Sequence, residues 1–87
     1  MRHARAEDLD RLEPLLARLR ALPRLTEKSR GVFYVKGRAF LHFHADPAGL
    51  FADVRAGDGD FERLRVDDAA GAKALLERVR LWTNPPP

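Results

Sequence analysis

The sequence predicts a two-layer α+β sandwich of order α-β-β-β-β-α, a four-stranded antiparallel sheet with two helices on one face. Three observations carry this. Leucines recur at steps of three and four over residues 9–22, the apolar period becomes two from Gly31, and the helical period returns after Asp68. At 87 residues the chain fits one domain, read as 1–83 with a short proline-rich tail at 84–87.

The first helix rests on Leu9, Leu12, Leu15, Leu16, Leu19 and Leu22, with Arg11, Arg18 and Arg20 off the stripe. Pro14 is tolerated if the helix starts near Asp10, because the first turn has free N–H groups. A kinked helix from Glu7 is the competing reading. Either way Pro23 ends it, and Glu7, Asp8, Asp10 and Glu13 lie toward the positive end of the dipole.

Segments 31–36, 38–45, 50–56 and 61–66 are short and rich in Val, Phe, Tyr and Leu. Turn residues Lys36-Gly37, Asp46-Pro47-Ala48-Gly49 and Gly57-Asp58-Gly59-Asp60 separate them. Spacings this short call for antiparallel hairpins, since a parallel crossover needs a dozen or more residues. Asp67 or Asp68 then caps a second helix running to about residue 81, with Ala72, Leu75, Leu76, Val79 and Trp82 as its buried stripe.

A four-residue loop at 46–49 pairs Ala45 with Leu50, Phe43 with Ala52 and Leu41 with Val54, all on the core side. The opposite face then sets His44 against Phe51, His42 against Asp53 and Phe40 against Arg55. A left-handed bulge at Gly37, the expected form because it fills the core side, sends Phe33 and Val35 inward and Tyr34 outward; a plain two-residue loop reverses them. On the last strand Leu64 and Val66 point inward, leaving Phe61, Arg63 and Arg65 outward.

Composition removes several functions. There is no cysteine, so disulfides, thiolate metal sites and thiol catalysis are excluded together. No apolar run approaches the roughly 18–20 residues of a membrane span, and the expected setting is the cytoplasm. Arginine supplies 13 of 16 basic residues beside 13 alanines and 13 leucines, the composition of a GC-rich bacterial genome. Net charge is +5 over residues 1–45, −4 over 46–68 and +2 over 69–87, unlike the sustained basic stripe of a dedicated nucleic-acid binder.

The outer sheet face is the candidate working surface. Its expected partner-binding residues are Tyr34, Arg38, Phe40, His42, His44, Phe51, Asp53 and Arg55. Aromatic residues and arginine are enriched in protein interfaces, and a chain this short has little core of its own, so the reading is a non-catalytic binding domain that forms a homodimer. A nucleic-acid module, stacking bases on the aromatics, is one alternative. A small enzyme or metal-binding protein using His42, His44 and Asp53 is another. His42 and His44 lie on one side of a strand roughly 7 Å apart, but a metal site normally has three or four protein ligands, and His3 is distant in sequence. A hydrogen-bonded His42–Asp53 pair, its imidazole pKa raised by the carboxylate, is expected instead, with no metal and no cofactor. No nucleophile shares the face: Thr26, Ser29 and Thr83 lie elsewhere. Residues 26–31 read as a solvated loop, with an anion site at Lys28, Ser29 and Arg30 as the weaker reading.

Leu22-Pro23, then Phe33-x-Val35-x-Gly37-Arg38-x-Phe40, then Gly49-Leu50-x-x-Asp53-Val54, resembles the MmcQ/YjbR-like proteins over residues 20–56. The resemblance implies a frataxin-like α/β sandwich. It also implies a family without an established biochemical activity, for which DNA binding has been suggested. His42-x-His44 lies outside the shared pattern, so no functional residue carries over.

Overall fold

The computed structural model describes residues 2–55 and 59–83. The end of the third predicted strand at Ala56, the turn residues 57–58 and the proline-rich tail at 84–87 lie outside the described residues. Strands β1 (Arg2–His3), β2 (Thr26–Ser29), β3 (Val32–Val35), β4 (Arg38–Asp46), β5 (Gly49–Arg55) and β6 (Phe61–Arg65) form one antiparallel sheet. Helices α1 (Ala6–Arg11), α2 (Glu13–Arg20) and α3 (Ala69–Thr83) complete the mixed α+β fold.

Strand β4 is the axis of the sheet. Its pairing with β5 follows the predicted register: Leu41 opposes Val54, Phe43 opposes Ala52 and Ala45 opposes Leu50 on one side, while His42 opposes Asp53 and His44 opposes Phe51 on the other. Two-residue periodicity and the 46–49 turn act together here, because a one-residue slip would turn every apolar side chain out of the core. Strand β6 continues the pattern, with Leu64 opposite Ala52 and Arg63 opposite Asp53.

The sheet has six strands among the described residues, not four. The segment expected as a loop at 26–31 contributes β2, which pairs with β3 and turns back at Gly31, where φ is +78°. Thr26-Glu27-Lys28-Ser29 shows no apolar alternation because β2 is an edge strand, and polar side chains suit an edge that should not recruit another chain. Arg30, at the end of this segment, is held by Asp10 and Glu13 at 2.9 and 2.8 Å. Strand β1 is only two residues long, too short for any period to register. It pairs with the far end of β4, Arg2 with Ala45 and His3 with His44, and the Ala4 N–H donates to the Phe43 carbonyl at 3.1 Å. Because β5 occupies one edge of β4, β1 and β3 share the other.

The expected bulge at Gly37 is corrected: the first hairpin closes by the plain two-residue loop. Lys36 and Gly37 both have positive φ, 53° and 79°, the mirror-image turn that matches strand twist, and Val35 pairs with Arg38. The irregularity sits farther along: Phe33 opposes Leu41 while Tyr34 opposes Ala39, so Phe40 is the extra residue. The displaced bulge still returns Phe33 to the core. It also corrects the placement of Phe40, which is 5% exposed and packs with the core instead of standing on the open face.

The first helical region is the kinked form. α1 and α2 meet at Leu12, which ends one helix and begins the other, and Pro14 occupies the first turn of α2. Among the described residues, three helices therefore replace the two expected. Asp68 caps α3, its Oδ1 accepting from the Gly71 N–H at 2.7 Å. Leu9, Leu12, Leu15, Leu16 and Leu19 join Leu75, Leu76 and Val79 in one cluster with Phe33, Leu41, Phe43 and Val54. With the helices gathered on that side, His42, His44, Asp53 and Arg63 face away from them.

Candidate functional site

Two strands bring all three histidines of the chain together on the open face. Arg2 and His3 point to opposite sides of the sheet, as successive strand residues must. Arg2 reaches the start of α1, where its Nη1 meets Asp8 Oδ2 at 2.6 Å. His3 is thereby set on the other side, directly beside His44. The ring centroids of His3 and His44 are 4.7 Å apart, those of His42 and His44 are 4.8 Å apart, and His3 and His42 are 6.1 Å apart. One ligand nitrogen from each ring lies within 4.8 Å of the other two. His3 is exposed, whereas His42 and His44 are half-buried.

The second feature is a carboxylate held beside this cluster. Asp53 is 7% exposed, and Arg63 grips it through both ends of its guanidinium, Nε to Oδ1 at 2.7 Å and Nη2 to Oδ2 at 2.9 Å. Asp53 Oδ2 also lies 3.1 Å from His44 Nε2. His44 Nε2 in turn stands 3.0 Å from His42 Nδ1. The expected His42–Asp53 pair is thus corrected. The two residues are opposite in register, but Arg63 faces Asp53 from β6 and its carboxylate meets His44.

The electrostatics change accordingly. The Arg63 guanidinium holds the Asp53 carboxyl below the ordinary carboxylate value, more than offsetting burial. Burial is the largest influence on both His42 and His44 and pushes each below the usual imidazole value. For His42 the neighbouring His44 adds to that, and Asp53 opposes it without prevailing. The raised histidine pKa expected from a carboxylate partner is therefore reversed, because burial outweighs the pull of Asp53.

Aromatic and cationic groups wall the cluster. Phe61 meets the edge of His42 with centroids 5.0 Å apart, and the Arg55 guanidinium lies 4.5 Å above the Phe61 ring. Arg55 is fixed from below by the Ala39 carbonyl at 2.9 Å. A cleft of about 50 Å³ opens beside His3 and His42, where β1 and β3 leave the same edge of β4 incompletely paired.

Of the eight expected contact residues, His42, His44, Asp53 and Arg55 belong to this constellation. Phe51 is half-buried beside it, opposite His44 on one side and Arg65 on the other. Tyr34 and Arg38 belong to the β3–β4 hairpin; the Lys28 ammonium lies 5.7 Å from the Tyr34 ring centroid, and Arg38 is exposed beside the turn. Phe40 is in the core. His3 was missed because its proximity depends on β1, and the alternation of Arg2, His3 and Ala4 is the only local signal for that strand.

Among the residues with hydroxyl groups, Thr26 and Ser29 lie on edge strand β2, and the Thr83 hydroxyl donates to the Val79 carbonyl at 2.7 Å. No described helix is long and apolar enough to cross a membrane. Compared with known proteins, the chain matches no family model, no curated protein and no solved structure.

Proposed function

We propose that this chain is a small non-catalytic binding domain of the bacterial cytoplasm that self-associates through the open face of its sheet. The observation that carries the reading is the segregation of the molecule into two sides. Helical leucines pack against one side of the sheet, while Phe51, Phe61, Arg55, Arg63 and Arg65 stand on the other, which no helix covers among the described residues. Phe61 is 39% exposed at the centre of an arginine-rich surround, the residue mixture that dominates binding energy at protein interfaces. A second copy would bury it. The MmcQ/YjbR-like resemblance of residues 20–56 belongs to the same proposal.

The arginines weigh against the nucleic-acid alternative. Arg63 is paired with Asp53 and Arg65 with Asp67, so much of the positive charge on this face is already balanced internally. Phosphate binding draws its affinity from unbalanced cations.

Light scattering of the full chain at 100 μM tests the proposal. The expected result is a dimer mass that falls to the monomer mass on Phe61→Asp substitution. A wild-type monomer at that concentration overturns it.

A further inference from the structure

We propose that His3, His42 and His44 form a binding site for a late first-row divalent metal ion, represented by Zn²⁺. The site would lie within one chain, so it goes beyond self-association and does not depend on it.

The geometry is that of converging donors. Tetrahedral bonds of about 2.0–2.1 Å to imidazole nitrogen place neighbouring ligand atoms roughly 3.3 Å apart. His42 Nδ1 and His44 Nε2 already face each other at 3.0 Å. The third donor comes from the adjacent strand, and all three ligand atoms lie within 4.8 Å of one another. His3 is exposed and sits on a two-residue strand, so a swing of roughly 1–1.5 Å by a single surface side chain completes the triad. Two ligands two residues apart on β4 and one across the ladder on β1 make a facial arrangement.

The surroundings add a carboxylate at the donor atoms themselves. Asp53, clamped by Arg63, places Oδ2 3.1 Å from the same His44 Nε2, so it stands beside the converging nitrogens and not behind a ring, and Phe61 walls the far side of His42. Donor type selects the ion class. Three imidazoles with no thiolate suit Zn²⁺, Co²⁺ or Ni²⁺, whereas Mg²⁺ and Ca²⁺ require shells dominated by oxygen.

Calorimetry with Zn²⁺ on the full chain, without an affinity tag, tests the site, with Co²⁺ as a spectroscopic probe. Expected are saturation at one equivalent and the intense visible absorption of tetrahedral Co²⁺. His3→Ala, His42→Ala and His44→Ala should each weaken Zn²⁺ by more than tenfold. Absence of saturable binding, or undiminished affinity in His42→Ala, overturns the proposal. Because variants at half-buried strand positions can fail to fold, nitrogen-15 NMR of the wild-type imidazoles gives a second reading. Zn²⁺ should move a ring nitrogen of all three histidines, and a change confined to His3 overturns the site. A monomer that binds one Zn²⁺ would refute self-association and leave the metal site standing.

Discussion

Arg63 and Asp53 meet in a two-point clamp across β5 and β6, with both guanidinium–carboxylate distances under 3 Å. The arginine is half in solvent while the carboxylate is almost fully covered. The pair is therefore asymmetric. Its value lies in keeping a buried anion partnered, since removing one member leaves the other's charge unpaired.

Arg63→Ala should accordingly raise the Asp53 pKa from its depressed value toward the ordinary one and lower the urea midpoint at neutral pH. The Asp53 carboxyl signal followed by NMR titration gives the first quantity and urea denaturation the second. An Asp53 titration unchanged from wild type would show that Arg63 does not hold it.

Gly71 sets helix propensity against packing. Alanine is favoured over glycine inside a helix by roughly 1 kcal/mol. Here, however, an added Cβ would run into the backbone carbonyl of Arg65, where α3 begins close against the end of β6. Neither backbone can yield without disturbing that junction. Overpacking of this kind costs about 1–3 kcal/mol. Gly71→Ala should thus destabilise the protein in urea melts, and a more stable variant would contradict the close approach.

Leu16 is fully buried where α2 meets the sheet and α3. Leu16→Ala should cost about 2–5 kcal/mol through lost transfer energy and the cavity left behind. In a domain of this size each kilocalorie corresponds to roughly 4–8 °C in Tm. Leu81, more than half exposed on α3, is the control, and its alanine variant should melt within a few degrees of wild type.

The acid limb of stability should pass through Glu27. Arg20 holds this carboxylate through Nε and Nη2, and the Gly31 N–H donates to it at 2.9 Å, tying α2 to the β2–β3 turn. Arg20 first, then the Gly31 hydrogen bond, keeps the Glu27 pKa below its ordinary 4.5 against the effect of burial. A depressed folded-state pKa means that the unfolded chain binds the proton more readily. The stabilisation is therefore complete above about pH 5 and lost as pH falls through the folded-state value. Glu27→Gln should lower the melting temperature at pH 7 and flatten its decline between pH 5 and 3. A parallel decline in both proteins would exclude Glu27 from the acid response.

How far the sequence could be read follows from which interactions were local. Leu41, Phe43, Leu50, Ala52 and Val54 gave the β4–β5 register because alternation and turn length agree within fifteen residues. The α3 stripe was legible for the same reason. Arg2–His3 carried no usable period, and Thr26–Ser29 carried a polar one, so β1 and β2 depended on partners that local pattern does not specify. The bulge at Phe40 was equally hidden: Gly37 suits either type of turn, and packing of Phe33 and Phe40 decides between them. The cluster was half visible. His42-x-His44 stood on one strand with Asp53 opposite, but His3 required a contact spanning some forty residues, and burial of the two imidazoles inverted the expected electrostatics.

The brevity of β1 gives the cluster an unusual mechanical character. Two ladder pairs join Arg2–His3 to β4, and the Arg2–Asp8 bridge is their main reinforcement. Segments with so few contacts open far more often than the domain unfolds. His3 thus hangs on the weakest join of the sheet, while His42, His44 and Asp53 sit on its two longest strands. Amide exchange should accordingly be faster at His3 than at His44, which makes the first strand the hinge on which the cluster depends.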